Sequence, residues 1–285
     1  MNERKDNPFG VPDTGHVWDD NLRELLNPPP RWWQIAFHAS WIGVVIYLIL
    51  FPGIPLVHDY THGILGWSSI KRYKAQVAEV ERIRAPFEQR IAALSAAEIL
   101  KDPELKQYAI ASARVDFGDK CAACHGAGGQ GNPGFPVLAD DDWLYGGTVE
   151  KIQETITNGR RGMMPAHAGR LSAAEIDALV RHVKALSRGG EDPEGKALFT
   201  GKAACFACHG RDGKGNQAIG AANLTDAIWR FSGTDEEIRR TIAHGVNDPS
   251  DPETRRAEMP AWKGKLSESQ IKKLAVYVHE LGGGR

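Results

Sequence analysis

All four cysteines of this chain lie in two Cys-x-x-Cys-His pentapeptides, Cys121-Ala-Ala-Cys-His125 and Cys205-Phe-Ala-Cys-His209. Two thiols at this spacing can add to the two vinyl groups of one porphyrin. The adjoining histidine, His125 or His209, then falls beneath the iron as its proximal ligand, so each pentapeptide reads as a site of covalent c-type haem attachment. Paired cysteines also serve structural zinc and dithiol exchange. Zinc ribbons separate their pairs by roughly 15–20 residues, whereas the first cysteines here lie 84 apart. A dithiol exchanger has no need of histidine after both pairs. The residues therefore favour two covalently bound c-type haems, one held by Cys121 and Cys124 and the other by Cys205 and Cys208.

A closed haem iron needs a second axial ligand, and a methionine-proline pair follows each motif. Apart from the initiator, the methionines are Met163, Met164 and Met259. Met164-Pro165 lies downstream of His125, and Met259-Pro260 lies downstream of His209 at a somewhat longer interval. A thioether ligand raises the potential and suits electron transfer. Proline stiffens the turn that presents it. The parallel with Met259-Pro260 selects Met164 over Met163, which is then a packing residue. His167 and His244 are the bis-histidine alternatives, each reading better as a surface or propionate-side histidine.

The elements that must position these ligands come twice. Gly126-Ala-Gly-Gly-Gln-Gly131 and Gly210-Arg-Asp-Gly-Lys-Gly215 follow the two motifs. Trp143 and Trp229 are 86 apart, as are Ile156-Thr-Asn-Gly159 and Ile242-Ala-His-Gly245, while Leu171 and Leu266 begin matching segments 95 apart. Such a repeat is one fold made twice, and the extra residues accumulate in 246–258. The helical period predicts helices over 104–119 and 193–202 ahead of the motifs, amphipathic helices over 148–158 and 234–244, and last helices over 172–187 and 267–281. Ser172 and Ser267 are N-caps, with Glu175 and Gln270 completing capping boxes. Strand signal is almost absent. Trp143 and Trp229 read equally as indoles that cover a haem and donate to a propionate and as core filler beside the porphyrin. Arg160 and Arg161 read better as a solvated turn than as propionate partners.

Upstream, residues 32–51 form a run of 20 without formal charge, WWQIAFHASWIGVVIYLILF. At about 1.5 Å per residue it spans about 30 Å, enough for a bilayer core, with Trp32 and Trp33 at one interface. The run is too long, and too far from the N-terminus, for an ordinary cleaved signal peptide. His38 within it reads as a packing or interfacial residue. Arg4, Lys5, Arg23 and Arg31 before the span and Lys71, Arg72 and Lys74 after it leave orientation weakly decided by charge. Covalent haem attachment takes place outside the bacterial cytoplasm, which puts the haem half in the periplasm and the segment before Arg31 in the cytoplasm. The expected organisation is a head over 1–30, a transmembrane helix over 31–55, and a charged helical connector over 56–103, interrupted at Pro86. Two haem domains follow, over 104–189 and 190–285. A formal charge of −1 gives no argument for nucleic-acid binding. Asp140-Asp-Asp142 is a candidate for steering a basic partner, with exposed loop acids as the default. No phosphate loop, hydrolase triad or metal-carboxylate cluster appears.

The order of leading helix, haem motif, loop, Met-Pro and last helix resembles class I cytochrome c domains. The fold class expected is all-α, one N-terminal transmembrane helix followed by two tandem class I cytochrome c domains. In that family a glycine and an aromatic on the first helix meet an aromatic on the last. The resemblance assigns Gly195, Phe199 and Tyr277 to these places in the second half and Ala111, Val115 and His182 in the first. Thr14-Gly-His-Val-Trp-Asp19, then Glu24-Leu-Leu-Asn-Pro-Pro-Pro-Arg-Trp-Trp33 running into the span, resembles subunit III of cbb3-type cytochrome c oxidases over essentially the whole chain. Asp20 departs from the glycine expected after Trp-Asp, and a single span stands where some members have two. The resemblance implies an electron-transfer subunit that accepts electrons from a cytochrome c and passes them toward a catalytic haem-copper oxidase subunit, with other oxidase subunits and the lipid bilayer as further partners. Two saturated His/Met irons would leave no oxygen site on this chain. The alternatives are a membrane-anchored dihaem carrier for another respiratory complex or dehydrogenase, and a dihaem peroxidase.

Overall fold

The structure, a computed structural model, describes residues 12–19 and 22–282. Arg4, Lys5 and Asp20 lie outside the described residues. Arg84–Arg285 forms one compact unit and the residues before it another.

In the first unit, β1 (Asp13–Trp18) and β2 (Leu22–Leu25) form an antiparallel hairpin in which Trp18 pairs with Leu22 and Asp13 with Leu25. Arg23 and Asp13 join the strand ends at 3.0 Å. This hairpin departs from the all-helical expectation. Its strands are short and surround Gly15 and Asp19, both at positive φ, so alternation has almost no length in which to show. Helix α1 (Arg31–Leu50) follows, with no buried residue. Its 20 residues are long and apolar enough to cross a membrane. With neither a first-turn acid nor a last-turn base, it gains little from dipole complementarity, and its apolar surface is left for lipid to cover.

Helix α2 (Ser69–Ala93) continues through Pro86, where the sequence suggested an interruption. Proline in a helix interior costs ~3 kcal/mol. The turns after it offset that by burying Ile91 and packing Phe87 on the core. The two haem motifs sit in the helices that follow. These are α3 (Ala96–Lys101), α4 (Pro103–Lys120), α5 (Ala122–His125), α6 (Val149–Asn158), α7 (Ala173–Leu186), α8 (Pro193–Thr200), α9 (Phe206–His209), α10 (Asp235–His244) and α11 (Glu268–Gly282). Side-chain caps fix where several begin. Asp102 accepts from the amides of Glu104 and Leu105, Thr148 from Lys151 and Thr234 from Glu237. The capping box of Ser172 with Glu175 is present, and Ser267 and Gln270 make the same reciprocal bonds.

These helices make two cores, and each takes its last helix from the other half of the sequence. The first core packs α4 and α6 against α11, bringing Phe117 and Ile152 together with Leu274 and Val276. The second packs α8 and α10 against α7, bringing Phe199 and Ile238 together with Leu179 and Val183. The segments 104–189 and 190–285 therefore describe the repeat in the sequence, while the cores are woven across it. Polar contacts pin the same arrangement. Lys273 reaches Glu88 at 2.5 Å and Lys272 reaches the Ala92 carbonyl at 3.1 Å, tying α11 to the end of α2. Asp177 with Arg239 and Lys184 with Asp235 tie α7 to α10.

The helix crossings correct the family-based assignment. Phe199 does not meet Tyr277; its ring lies 5.4 Å from His182, while Tyr277 lies 5.0 Å from Phe117. On the first helix the inward residues are Ala113 and Phe117, not Ala111 and Val115, and Val115 is 67% exposed. Gly195 does sit at a crossing, since a Cβ there would collide with the Ala178 carbonyl oxygen of α7.

Candidate haem sites

Each cysteine pair occupies one helical turn. Helices α5 and α9 place the two thiols of each motif three residues apart on one face. The chain then closes with amides of His125 and His209 donating to the Cys121 and Cys205 carbonyls at 3.0 and 2.9 Å. Both turns end at a glycine with φ of +77°, which a side chain would strain.

The imidazoles are held alike. His125 Nδ1 lies 3.0 Å from the Pro136 carbonyl oxygen and His209 Nδ1 2.8 Å from that of Ala222. Donation from Nδ1–H to a backbone carbonyl fixes the tautomer and leaves Nε2 as the free donor atom, the usual support for a metal-binding histidine. Burial pushes both imidazoles below their ordinary pKa, which keeps them neutral and able to ligate. Burial also pushes the Cys121 and Cys205 thiols up to about 11. A redox dithiol needs the opposite shift, so the environment argues against exchange chemistry. Among the described residues no cluster of three or more His, Cys, Asp or Glu is arranged to hold a metal ion.

Both motifs open into one continuous cavity of about 1180 Å³. Its walls include Phe117, Trp143, Leu274, Phe199, Trp229 and Leu179. Drug-sized sites run to about 1,000 Å³, so the space is ample for a large planar group. Polar orphans line it as well. Trp143 Nε1, Arg230 Nε and Arg255 Nε are buried without a hydrogen-bond partner, and the Arg230 charge acts on His125. A carboxylate-bearing porphyrin supplies what these donors lack. The donor set, the apolar walls and the orphaned N–H groups thus fit c-type haem.

The Met-Pro segments are placed reciprocally. Met259 exchanges two backbone hydrogen bonds with Arg160, each 2.9 Å, immediately after α6. Met164 exchanges two with Val246, each 2.9 Å, immediately after α10. Met259 packs on the core that holds Cys121 and Trp143, and Met164 on the core that holds Cys205 and Trp229. Met163 is 65% exposed. His167 is buried with its Nδ1 3.1 Å from Arg170. His244 is engaged by Asp251 at 3.0 Å and Glu253 at 3.6 Å. Arg160 is half-buried, bonded to Glu154 and Thr155 and stacked over Tyr145 at 4.6 Å, whereas Arg161 is exposed.

Sequence reasoning missed Phe117, Arg230 and the pair Asn247–Asp248. Phe117 was visible in the spacing, since Ala113-x-x-x-Phe117 matches Gly195-x-x-x-Phe199. Asn247 and Asp248 lie in the extra residues, where no repeat guides the eye. There Asn247 donates to the Gly162 and Ala257 carbonyls at 2.7 Å, and Asp248 accepts from the Ala166 amide at 2.7 Å.

Two family models match the head and both haem-motif regions of the chain. Residues 109–183 and 190–278 match the model described as cytochrome c oxidase, cbb3-type, subunit III. The chain belongs to this family. Residues 10–58 match the N-terminal domain of cytochrome oxidase-cbb3, FixP. Among relatives, the cbb3-type cytochrome c oxidase subunit FixP of Azorhizobium caulinodans is 43% identical, covering 98% of this chain and 96% of its own. FixP of Bradyrhizobium diazoefficiens is 40% identical, and subunit CcoP of Cereibacter sphaeroides 36%, each covering 98% of both chains. Family membership brings c-type haem to the cytochrome c-type domains, with α1 as the candidate membrane anchor.

Proposed function

We propose that this cbb3-type subunit III carries two c-type haems, each with His/Met ligation, and relays electrons from a cytochrome c donor toward the oxygen-reducing haem-copper subunit. The haem half would stand in the periplasm, anchored by α1. Bound haem supplies one-electron exchange between ferric and ferrous iron. The chain's residues do the rest. His125 and His209 are oriented by backbone carbonyls, while Met164 and Met259 are held by paired backbone hydrogen bonds as soft donors. The apolar walls around Phe117 and Phe199 exclude water, which stabilises the less charged ferrous state. Trp143 Nε1 and Arg230 Nε are positioned to receive propionate oxygens.

The observation that supports this reading is the pair of half-buried imidazoles, each with Nδ1 on a carbonyl and each lining the shared cavity. Purifying the tagged chain from membranes tests it. The expected result is a polypeptide that retains two haems after denaturation, copurifies in fixed ratio with a haem-copper oxidase and does not bind carbon monoxide when reduced. One haem per chain, or absence of the oxidase, would overturn it. Carbon monoxide binding by the reduced, native chain would favour a peroxidase. Protease added to spheroplasts should reach the haem half; protection of that half would overturn the orientation.

A further inference from the structure

We infer that residues 51–68, between α1 and α2, form a folded loop whose apolar tip seats in the headgroup–acyl boundary of the bilayer, giving the chain a second, interfacial hold on the membrane. The inference rests on α1 crossing the membrane, as proposed above, and adds what covers the chain where that helix ends.

Composition points there first. Between Arg31 and Lys71 the sole formal charge is Asp59, so the uncharged run does not stop where α1 stops. Beyond Leu50 it continues as exposed Leu56, Val57, Tyr60, Ile64, Leu65 and Trp67, with Val57 91% exposed. Single exposed apolar residues are ordinary, but these follow directly on a helix that itself buries nothing. Tyrosine and tryptophan are enriched where a membrane meets water. Phe51 links them to the helix, its ring stacked on Tyr47 at 5.1 Å and edge-on to Trp67 at 5.9 Å.

The backbone then sets where the tip lies. Pro55 and Tyr60 pair antiparallel, and the Leu56 amide donates to the Asp59 carbonyl at 2.6 Å, closing a turn centred on Val57 and His58. The chain next doubles back onto α1. The Ile64 and Leu65 amides donate to the Ile49 and Leu50 carbonyls at 2.9 and 3.2 Å, groups that the last turn of a helix otherwise leaves to water. Gly63 makes the return possible with φ of +66°, since a Cβ there would collide with the Leu50 carbonyl oxygen. The loop is thereby tied to the end of the span, at the level of the interface.

Internal hydrogen bonding supports an apolar setting. Irregular backbone is tolerated near lipid only where its polar groups are met. Thr61 Oγ1 accepts from the Gly53 and Ile54 amides at 3.3 and 3.0 Å, and the Thr61 amide donates to the Ile54 carbonyl at 3.0 Å. Pro52 and Pro55 have no amide to satisfy. Asp59 fixes the depth. Its carboxylate accepts from the Tyr60 amide at 2.8 Å and lies 3.3 Å from His62 Nε2, and a charge keeps the tip among headgroups rather than in hydrocarbon.

The test uses the full-length haem-loaded chain in phosphatidylcholine nanodiscs, with one added cysteine carrying an environment-sensitive fluorophore. Val57→Cys and Ile64→Cys report the loop, Val44→Cys the span and Val115→Cys a water-facing control. Labels at 57 and 64 should lose intensity to lipids with a nitroxide high on the acyl chain and resist aqueous iodide. The label at 44 should be quenched by a deep nitroxide, and that at 115 by iodide alone. Iodide quenching at 57 and 64, with deep quenching at 44 retained, would overturn the loop contact and leave the span standing. Loss of deep quenching at 44 would overturn the span and the inference with it. The same labels in the whole oxidase complex separate lipid from protein. Lipid quenching at 57 should persist there, and its disappearance would assign the tip to another subunit and refute the lipid contact. Adding Leu56→Asp and Val57→Asp to the Ile64→Cys chain should shift that label from lipid to iodide quenching, and no shift would refute the role of the tip.

Discussion

Replacing Leu274 with alanine should loosen the first haem site and leave the second intact, although Leu274 lies far beyond the second haem motif in sequence. Leu274 sits on α11 at 1% exposure, in the core with Phe117 and Ile152 and on the cavity wall. Truncating a buried leucine costs the lost transfer free energy and adds about 24 cal/mol for each Å³ of cavity left behind, with measured totals of about 2.7–5 kcal/mol. Just ahead of Leu274 the helix is tied to α2 by Lys272 and Lys273, which resists collapse into the gap, and the upper half of that range applies. For a unit of about 200 residues each 1 kcal/mol lowers Tm by about 2–4 °C, which gives a drop of about 8–20 °C. The repeat supplies the control. Leu179 lies at the matching place on α7, also at 1% exposure, in the second core. Thermal unfolding followed by circular dichroism reads the stability. Carbon monoxide binding to the reduced variants, compared with Met259→Leu and Met164→Leu, reads which iron has become accessible. Leu274→Ala should resemble Met259→Leu, and Leu179→Ala should resemble Met164→Leu. The packing argument is wrong if Leu274→Ala instead opens the iron bound at His209. It is equally wrong if stability changes by less than about 0.5 kcal/mol, the range of ordinary surface substitutions.

Gly195→Val forces a branched side chain against the Ala178 carbonyl and His182. It should cost more than the ~1–3 kcal/mol of ordinary overpacking, visible as loss of the second haem's native spectrum on urea titration. Asp142 is raised to about 6 by burial first and then by Asp226, Asp140 and Asp141. The folded state therefore favours its neutral form. The stability this provides is full below the ordinary aspartate value of 3.8 and is lost as pH rises through about 6. Asp142→Asn should raise the urea midpoint at pH 7 but not at pH 4, and equal effects at both would contradict the shift. Inserting a short glycine-serine stretch between Gly189 and Gly190 should leave the magnetic coupling between the two haems unchanged, because that turn joins helices of one core; weakened coupling on paramagnetic resonance would argue that it links two separate bodies.

Most of the local structure was legible because its signals are local. A capping serine three residues ahead of glutamate or glutamine, an apolar stripe and a Cys-x-x-Cys-His turn each act within a few turns of chain. The helices accordingly begin close to their expected starts, as α7 does after Ser172. The haem chemistry was legible for the same reason, since thiols and imidazole are contiguous. What stayed hidden was pairing at a distance. The repeat makes α7 and α11 near-equivalent amphipathic helices, so either could close either core as far as composition goes. His182 and Tyr277 differ in size, and Tyr277 meets Phe117 while His182 meets Phe199. A matching of shapes between Phe117 on the first haem-bearing helix and Tyr277 on the last helix leaves no trace in any window of sequence.

The crossing of the last helices between halves changes what holds the two candidate haem sites together. In a plain tandem the segment between halves, 187–192, would be the hinge, and the distance between sites would vary with its motion. Here that segment is the turn between α7 and α8, two helices of one core, and Asp192 both caps α8 and meets Arg181 of α7. The connections that do pass between cores, 159–164 and 245–259, are each fixed by paired backbone hydrogen bonds, and they carry Met164 and Met259 themselves. One site cannot move away from the other without drawing a methionine out of its partner core and uncovering the apolar wall behind it. With Met164 and Met259 as the proposed ligands, closing an iron and fixing the separation of the two sites would become one structural requirement. A relay whose rate falls steeply with distance gains from that coupling, whereas an enzyme that must open one coordination position to bind substrate would have to break it.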